Sequence, residues 1–140
     1  MTDASPEDAQ RYLDDMVARR GYVLDYHRVM AANDLPVLKA ADDLVTAAYL
    51  APRRLDRATK ELLFVLSLTV LRADKAHIKS HIRVALQLGV TPEELLEALE
   101  IALPEAGVVA FQHGFDAWRE AVDAPALDPT PPAAGTRPGP

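Results

Sequence analysis

Apolar residues recur in this chain every three or four positions, which is the period of one face of an α-helix. The clearest stripe lies near the C-terminus, where Phe111, Phe115, Trp118 and Val122 follow one another at i, i+4, i+7 and i+11. Nowhere do apolar and polar residues alternate in the way that a half-buried β-strand requires. The pattern therefore predicts an all-α fold of about six helices, with the aromatic stripe in the core.

Residues that cap helices divide this pattern into segments. Ser5 and Asp56 are suited to be N-caps, Thr91 and Glu94 have the spacing of a capping box, and Gly89 is suited to end a helix. The predicted helical segments are 6–20, 22–30, 35–49, 57–72, 74–89, 92–103 and 105–122. Of these, 22–30 is only a short helical piece.

The segment that follows Asp56 contains a long apolar run. Between Leu62 and Leu71 only Ser67 and Thr69 are polar. Crossing a bilayer takes about 20 apolar residues, so this shorter run is expected to form a helix buried inside the protein. Because the run is apolar on nearly all sides, we expect neighbouring helices or another subunit to surround it.

Composition narrows the class of protein. The 140 residues, of which 49% are apolar, suffice for one domain with one core. We place this domain at residues 1–123 and expect the Pro- and Ala-rich segment 124–140 to be disordered. A net charge of −6 without a basic stripe argues against nucleic acid as a partner. The acidic N-terminus does not resemble a signal peptide, so we expect a cytoplasmic protein with no membrane partner and a small-molecule substrate.

The residues best suited to chemistry lie on two consecutive predicted helices. Cysteine is absent, which excludes thiolate nucleophiles and cysteine-bound metals. Glu61 precedes most of the apolar run, and Asp74, His77 and His81 follow it on one side of a helix. If the two helices pack as an antiparallel hairpin, Glu61 lies close to His81. The group then supports acid–base catalysis by Glu61 and His81, or a divalent metal ion held by His77, His81 and Glu61.

Less specific roles also account for these residues. Glu61 is explained by exposure in the first turn of its helix, where the helix dipole favours a carboxylate. His81 is explained as a hydrogen-bonded histidine at the boundary of the core. Arg72 and Asp74 are suited to a surface ion pair. His113 lies beside acidic residues on the polar side of the last helix, where solvent exposure is expected.

Four segments of the chain resemble the carboxymuconolactone decarboxylase family, which also contains the alkylhydroperoxidase D-like proteins. The segments read GYVLDYHRVMAANDLPVLKA (21–40), LDRATKELL (55–63), SHIRVALQLGVTPEELLEAL (80–99) and AGVVAFQHGFDAWREA (106–121). The resemblance implies an all-α fold that assembles as a homotrimer or homohexamer, with sites near the contacts between subunits.

The peroxidase branch of that family is similar in having a glutamate, a Cys-x-x-Cys pair and a histidine four residues after the second cysteine. Glu61 and His81 match the glutamate and the histidine, whereas Asp74 and His77 stand where the cysteines would be. Disulfide-based peroxidase chemistry is impossible without those thiols. The chain therefore looks closer to the decarboxylase branch, whose helix likewise carries a histidine but no cysteine pair.

The decarboxylase branch implies a lyase that needs no cofactor and decarboxylates a small organic acid or lactone. By this resemblance, His81 is the acid that reprotonates carbon, Glu61 orients it or acts as a base, and Arg72 would bind a substrate carboxylate. His77 and His113 depart from the family's pattern. We expect His77 to be a further catalytic residue and His113, which stands where asparagine is common, to add a ligand or proton donor for the substrate. The alternatives are a metal-binding enzyme or sensor and a non-catalytic oligomeric binding module of the same fold.

Overall fold

The computed structural model describes residues 4–129 of the chain. They form eight α-helices and one π-helical turn, and these residues contain no β-strand, which confirms the all-α prediction. The elements in chain order are α1 Pro6–Arg20, α2 Asp25–Asn33, α3 Leu35–Val45, the π-helical turn Thr46–Leu50, α4 Arg57–Val70, α5 Lys75–Gln87, α6 Pro92–Glu100, α7 Ala102–Ala106 and α8 Val108–Val122.

The predicted caps lie at the ends of the observed helices. Ser5, Asp56 and Thr91 each accept a hydrogen bond from the backbone amide three residues later, at 3.1, 2.7 and 3.1 Å. Gly21 and Gly89 follow α1 and α5 with φ of 90° and 91°, a region that side chains disfavour. These helix ends therefore follow from local sequence.

Other predicted boundaries differ from the structure. The central helix α4 ends before Arg72, because Arg72 adopts a positive φ of 56° that terminates it. The segment predicted to be helical from 105 to 122 is divided at Gly107, whose φ of 90° separates α7 from α8. The helix predicted to reach Tyr49 changes from α to π geometry at Thr46. The spacing of apolar residues in the sequence does not predict these helix boundaries.

Helices α1, α2 and α3 pack around a small apolar cluster. Its buried members are Ala9, Leu13, Met16, Ala31, Leu35 and Leu38. The buried carboxylate of Asp42 accepts hydrogen bonds from Arg19, Arg20 and Tyr12. Because three donors compensate its charge, Asp42 can be buried, and the network attaches α1 to α3.

Helices α4, α5, α6 and α8 enclose the main core. Its buried residues are Val65, Leu68, Ile78, Ile82, Ala85, Val90, Leu95, Leu99, Ala117 and Trp118. Phe111, Phe115 and Val122 pack against them, as the aromatic stripe predicted. Helices α4 and α8 approach closely at Gly114, where an added methyl group would lie 2.8 Å from Thr69 Cβ. Helices α4 and α5 pack against each other as a hairpin joined by a short turn.

One side of α4 is exposed in the single chain, so other helices of this chain do not surround it, and coverage by another subunit stays a prediction. Leu63 is 51% and Leu71 is 75% exposed. No helix within residues 4–129 is both long and apolar enough to cross a membrane. The tail predicted to be disordered begins with 124–129, which follow α8 without regular secondary structure, and its remaining residues, 130–140, lie outside the described part of the chain.

Candidate active site

Glu61 lies in the second turn of α4, and the protein buries its side chain completely. Its exposure is 0%, so the alternative of an exposed first-turn carboxylate is wrong. Helix α5 runs back beside α4 and brings His81 to the same level, where Glu61 Oε2 lies 2.7 Å from His81 Nδ1. The predicted proximity of these two residues is confirmed, because both stand on the faces at which the two helices meet.

Aromatic side chains enclose the ring of His81, which is 1% exposed. Phe64 stacks on it with the ring centroids 4.4 Å apart and 12° between the planes. Tyr22 contacts it edge-on at 4.9 Å and places its hydroxyl 3.2 Å from Nε2. Tyr49, in the π-helical turn, lies 6.0 Å away. Both ring nitrogens are therefore in hydrogen bonds with the protein, Nδ1 with Glu61 and Nε2 with Tyr22.

The second carboxylate oxygen of Glu61 faces a partly buried arginine. Arg57 Nε lies 3.6 Å from Glu61 Oε1, and neither buried atom has a hydrogen-bond partner among residues 4–129. The rest of the guanidinium donates to the backbone carbonyls of Arg19 and Arg20 and to the Tyr49 hydroxyl. Arg57 is thus a fixed positive charge beside Glu61, and water screens it less than it would on the surface.

Burial and pairing act on Glu61 in opposite directions. Removal from water raises the pKa of the Glu61 carboxyl, and the hydrogen bond and charge of His81 offset only part of this rise. The Glu61 carboxyl therefore binds a proton more readily than an exposed glutamate does, and its Oε2 lies in a hydrogen bond with His81 Nδ1. A buried pair of this kind is suited to exchange protons with a third group.

His77 stands one turn before His81 on α5 and is half-buried. The two imidazole centroids are 5.4 Å apart. Burial lowers the pKa of His77, and His81 lowers it further against a smaller opposing effect of Asp74. His77 is therefore neutral near pH 7 and lies beside the Glu61–His81 pair without a hydrogen bond to it.

The metal alternative requires three ligand side chains to converge. Within the described residues, no group of three or more His, Asp and Glu side chains is arranged to hold a metal ion. Both ring nitrogens of His81 are in hydrogen bonds, with Glu61 and Tyr22. Coordination of a metal ion by His77, His81 and Glu61 stays a prediction.

The residues predicted to bind substrate lie away from the pair. Arg72 is exposed at the end of α4, eleven residues after Glu61, or about 16 Å along the helix axis. The expected ion pair of Arg72 with Asp74 is wrong, since the described ion pairs do not include it. The expected exposure of His113 is also wrong, because its half-buried ring donates from Nε2 to the Ala73 carbonyl oxygen. Substrate binding by either residue stays a prediction.

An apolar groove of about 820 Å³ follows the exposed side of α4. Its wall includes Leu63, Leu71 and Ile101. Tyr49 and Phe64 belong both to this wall and to the enclosure of His81. These two aromatic rings therefore separate the groove from the buried imidazole.

Sequence pattern does not identify every residue at this site. Tyr22 lies in the loop between α1 and α2, 59 positions before His81, and no periodicity connects the two. Arg57 stands four residues before Glu61, a spacing that a search for helical ion pairs would have found. His27, to which the pattern assigns no role, is buried and accepts a hydrogen bond at the start of α2.

Comparison with known protein families matches residues 36–120 to the family described as the Carboxymuconolactone decarboxylase family. The matched segment is more than half of the chain and contains Glu61, His77 and His81, whereas Tyr22 lies before it. No curated protein and no solved structure matches the chain.

Proposed function

Since the chain belongs to the carboxymuconolactone decarboxylase family, we propose that it is a cofactor-independent lyase that removes carbon dioxide from a small organic acid or lactone. Glu61 and His81 supply the acid–base chemistry. The proposal is carried by the 2.7 Å hydrogen bond between Glu61 Oε2 and His81 Nδ1, inside an enclosure where neither residue is more than 1% exposed. Thiol peroxidase chemistry is not proposed, because this chain contains no cysteine.

Decarboxylation breaks the bond between the carboxylate carbon and its neighbour. Carbon dioxide leaves, the bonding electrons enter a conjugated carbonyl system as an enolate, and the carbon then takes up a proton. A positioned acid contributes about 10²–10⁴-fold to such a step. In this proposal the protonated His81 ring supplies the proton, and the Glu61 carboxylate stabilises the imidazolium and holds its orientation.

His77 is proposed to contact the substrate, because it is the half-buried titratable side chain beside the pair on α5. Its lowered pKa keeps it uncharged near pH 7, so it is suited to a neutral hydrogen bond with a carbonyl oxygen. The predicted binding residues Arg72 and His113 lie at the α4–α5 turn and would serve only a substrate that extends there.

The test follows carboxymuconolactone and a panel of β-keto and β,γ-unsaturated carboxylic acids in deuterium oxide. Wild-type protein is expected to release carbon dioxide and to leave one deuterium on carbon, which NMR and mass spectrometry detect. Glu61→Gln and His81→Asn are each expected to reduce turnover at least 100-fold, because they remove the acid–base group. Glu97→Gln, at an exposed position of α6, is the matched control and should retain wild-type turnover.

Turnover within threefold of wild type in both site variants would contradict the proposal. If the wild-type protein converts no acid of the panel, the lyase is likewise disfavoured, and the binding module of the same fold becomes the better interpretation. Circular dichroism of each variant establishes that a loss of turnover is not a loss of the helical fold.

A further inference from the structure

We propose that Tyr22 passes protons between the substrate and His81. The inference rests on the proposed function and extends the Glu61–His81 pair to a third residue. Glu61 and His81 are at most 1% exposed, whereas Tyr22 keeps part of its surface exposed. Of the three hydrogen-bonded groups, Tyr22 is therefore the one that a substrate meets first.

The hydrogen bonds at His81 allow transfer in both directions. When Nδ1 carries the proton shared with Glu61 and the ring is neutral, Nε2 accepts from the Tyr22 hydroxyl 3.2 Å away. When the ring gains a proton, Nε2–H donates to the Tyr22 oxygen instead. Phe64, stacked on the imidazole with 12° between the planes, hinders rotation of the ring, so the transfer proceeds with His81 in place.

The other neighbours of His81 offer no alternative route. Phe64 covers one face of the ring and has no polar atom. The hydroxyl of Tyr49 accepts a hydrogen bond from Arg57 at 3.3 Å. His77 lies near the ring but, in the described part of the chain, only Tyr22 places a polar side-chain atom within hydrogen-bond distance of Nε2.

Charges around Tyr22 suit a proton carrier. Burial raises the pKa of Tyr22, so the phenol is neutral at rest, while Arg20 acts in the opposite direction and Glu61 adds a smaller rise. Arg57 and Tyr22 also interact electrostatically. Two arginines thus stabilise negative charge that develops on the phenol oxygen during transfer.

In the proposed reaction, each proton that one group loses is taken up by the next. The carbon that has lost carbon dioxide takes the proton of the Tyr22 hydroxyl, and the Tyr22 oxygen takes one from His81 Nε2. The imidazolium becomes the neutral ring paired with Glu61. Water then returns one proton to the site, so that each carbon dioxide released is matched by one proton consumed.

Tyr22→Phe removes the hydroxyl and keeps the ring that packs against His81. Turnover is expected to fall at least 100-fold while KM stays within threefold, because the shape of the site is retained. Tyr26→Phe is the matched control, since Tyr26 is 57% exposed and only four residues away. This control is expected to retain wild-type kcat.

A second measurement needs no substrate. The ¹⁵N resonance of His81 Nε2 is expected to shift in Tyr22→Phe, because its hydrogen bond is lost, and to stay in place in Tyr26→Phe. An unchanged resonance in Tyr22→Phe overturns the assignment whatever the activity. If Glu61→Gln and His81→Asn lose turnover while Tyr22→Phe keeps it within threefold, the role of Tyr22 is wrong and the proposed function stands. If all three keep it, the proposed function itself is wrong.

Discussion

Two buried carboxylates of this chain have opposite protonation behaviour. Burial alone would raise the pKa of Asp42, but hydrogen bonds from Tyr12, Arg19 and Arg20 outweigh it and lower the pKa. Glu61 has one hydrogen bond, to His81, and burial raises its pKa. The protein therefore favours the charged form of Asp42, which has a structural role, whereas it favours proton binding by Glu61 beside a histidine. The number of hydrogen-bond donors around each buried carboxylate, and not the residue type, determines whether its pKa is lowered or raised.

His27 provides a prediction at the scale of one residue. Its Nδ1 accepts a hydrogen bond from the Leu24 amide at 2.9 Å, and burial, with Arg20 nearby, lowers the pKa of His27 to about 4. The folded state binds this proton less readily than the unfolded state, so stability is complete above about pH 6.5 and falls as the pH decreases toward 4. Between pH 7 and pH 5, the contribution of His27 to the free energy of unfolding decreases by about 2 kcal/mol.

Urea unfolding of wild type and His27→Gln at both pH values measures this contribution. Glutamine retains an acceptor for the Leu24 amide but does not titrate. On acidification from pH 7 to pH 5, the free energy of unfolding of His27→Gln is therefore expected to decrease by about 2 kcal/mol less than that of wild type. The difference between the two proteins reports His27 together with its charge interaction with His77, which also lowers the pKa of His27. An identical pH dependence in the two proteins would show that His27 is not buried in its neutral form.

At the scale of the element, the end of α4 explains the unusual backbone of Arg72. The Arg72 amide donates to the Thr69 carbonyl oxygen at 3.1 Å, and the Ala73 amide donates to that of Leu68 at 2.9 Å. This pair of bonds is the Schellman motif, which needs a left-handed residue and usually has glycine there. The positive φ of Arg72 therefore serves to end the helix and begin the hairpin that aligns Glu61 with His81.

The crossing of α4 and α8 yields a prediction at the same scale. Gly114 is buried in α8, and a methyl group there would overlap the Thr69 side chain, with 2.8 Å to its Cβ. Gly114→Ala is expected to destabilise the protein by about 1–3 kcal/mol, despite the better helix propensity of alanine, because the helices must move apart. Thermal and urea unfolding measure the change.

Gln112→Ala, at an exposed position of the same helix, is the control and is expected to change stability by less than about 0.5 kcal/mol. Combining Gly114→Ala with Thr69→Ala should recover part of the loss, since the smaller side chain relieves the overlap. A neutral or stabilising Gly114→Ala would mean that the two helices are farther apart than described.

At the scale of the whole molecule, apolar side chains remain exposed on α4, between α6 and α7, and at the start of α8. Leu63, Leu71, Ile101, Val108 and Val109 each expose more than a third of their surface. A concentration of exposed apolar side chains is typical of surfaces that bind a partner. We propose that further copies of this chain cover these side chains, in the homotrimer or homohexamer that the family resemblance implies.

Light scattering coupled to size-exclusion chromatography tests the assembly. Wild type is expected to elute as an oligomer, and Leu71→Glu, which places a charge at a side chain 75% exposed in the single chain, is expected to shift it toward the monomer. Leu127→Glu is the matched control, because Leu127 is 96% exposed in the segment after α8. A monomeric wild type at micromolar concentration would contradict the proposal.

Several features of the fold and of the site follow from local sequence. The helical period predicted the fold class, and Ser5, Asp56 and Thr91 located three helix starts, because capping depends on residues within one turn. The contact of Glu61 with His81 was also predictable, since two adjacent helices joined by a short turn pack antiparallel and their spacing sets the level at which residues meet.

Only the tertiary structure decided which residues complete the site. Tyr22, in the loop between α1 and α2, reaches His81 on α5 across 59 positions of sequence, a contact that depends on how the first helices pack against the later ones. The complete burial of Glu61 and the π-helical turn that carries Tyr49 are likewise outcomes of packing. Sequence periodicity records which face of a helix is apolar. It does not record which distant segment that face will meet, because this depends on how all the helices pack at once.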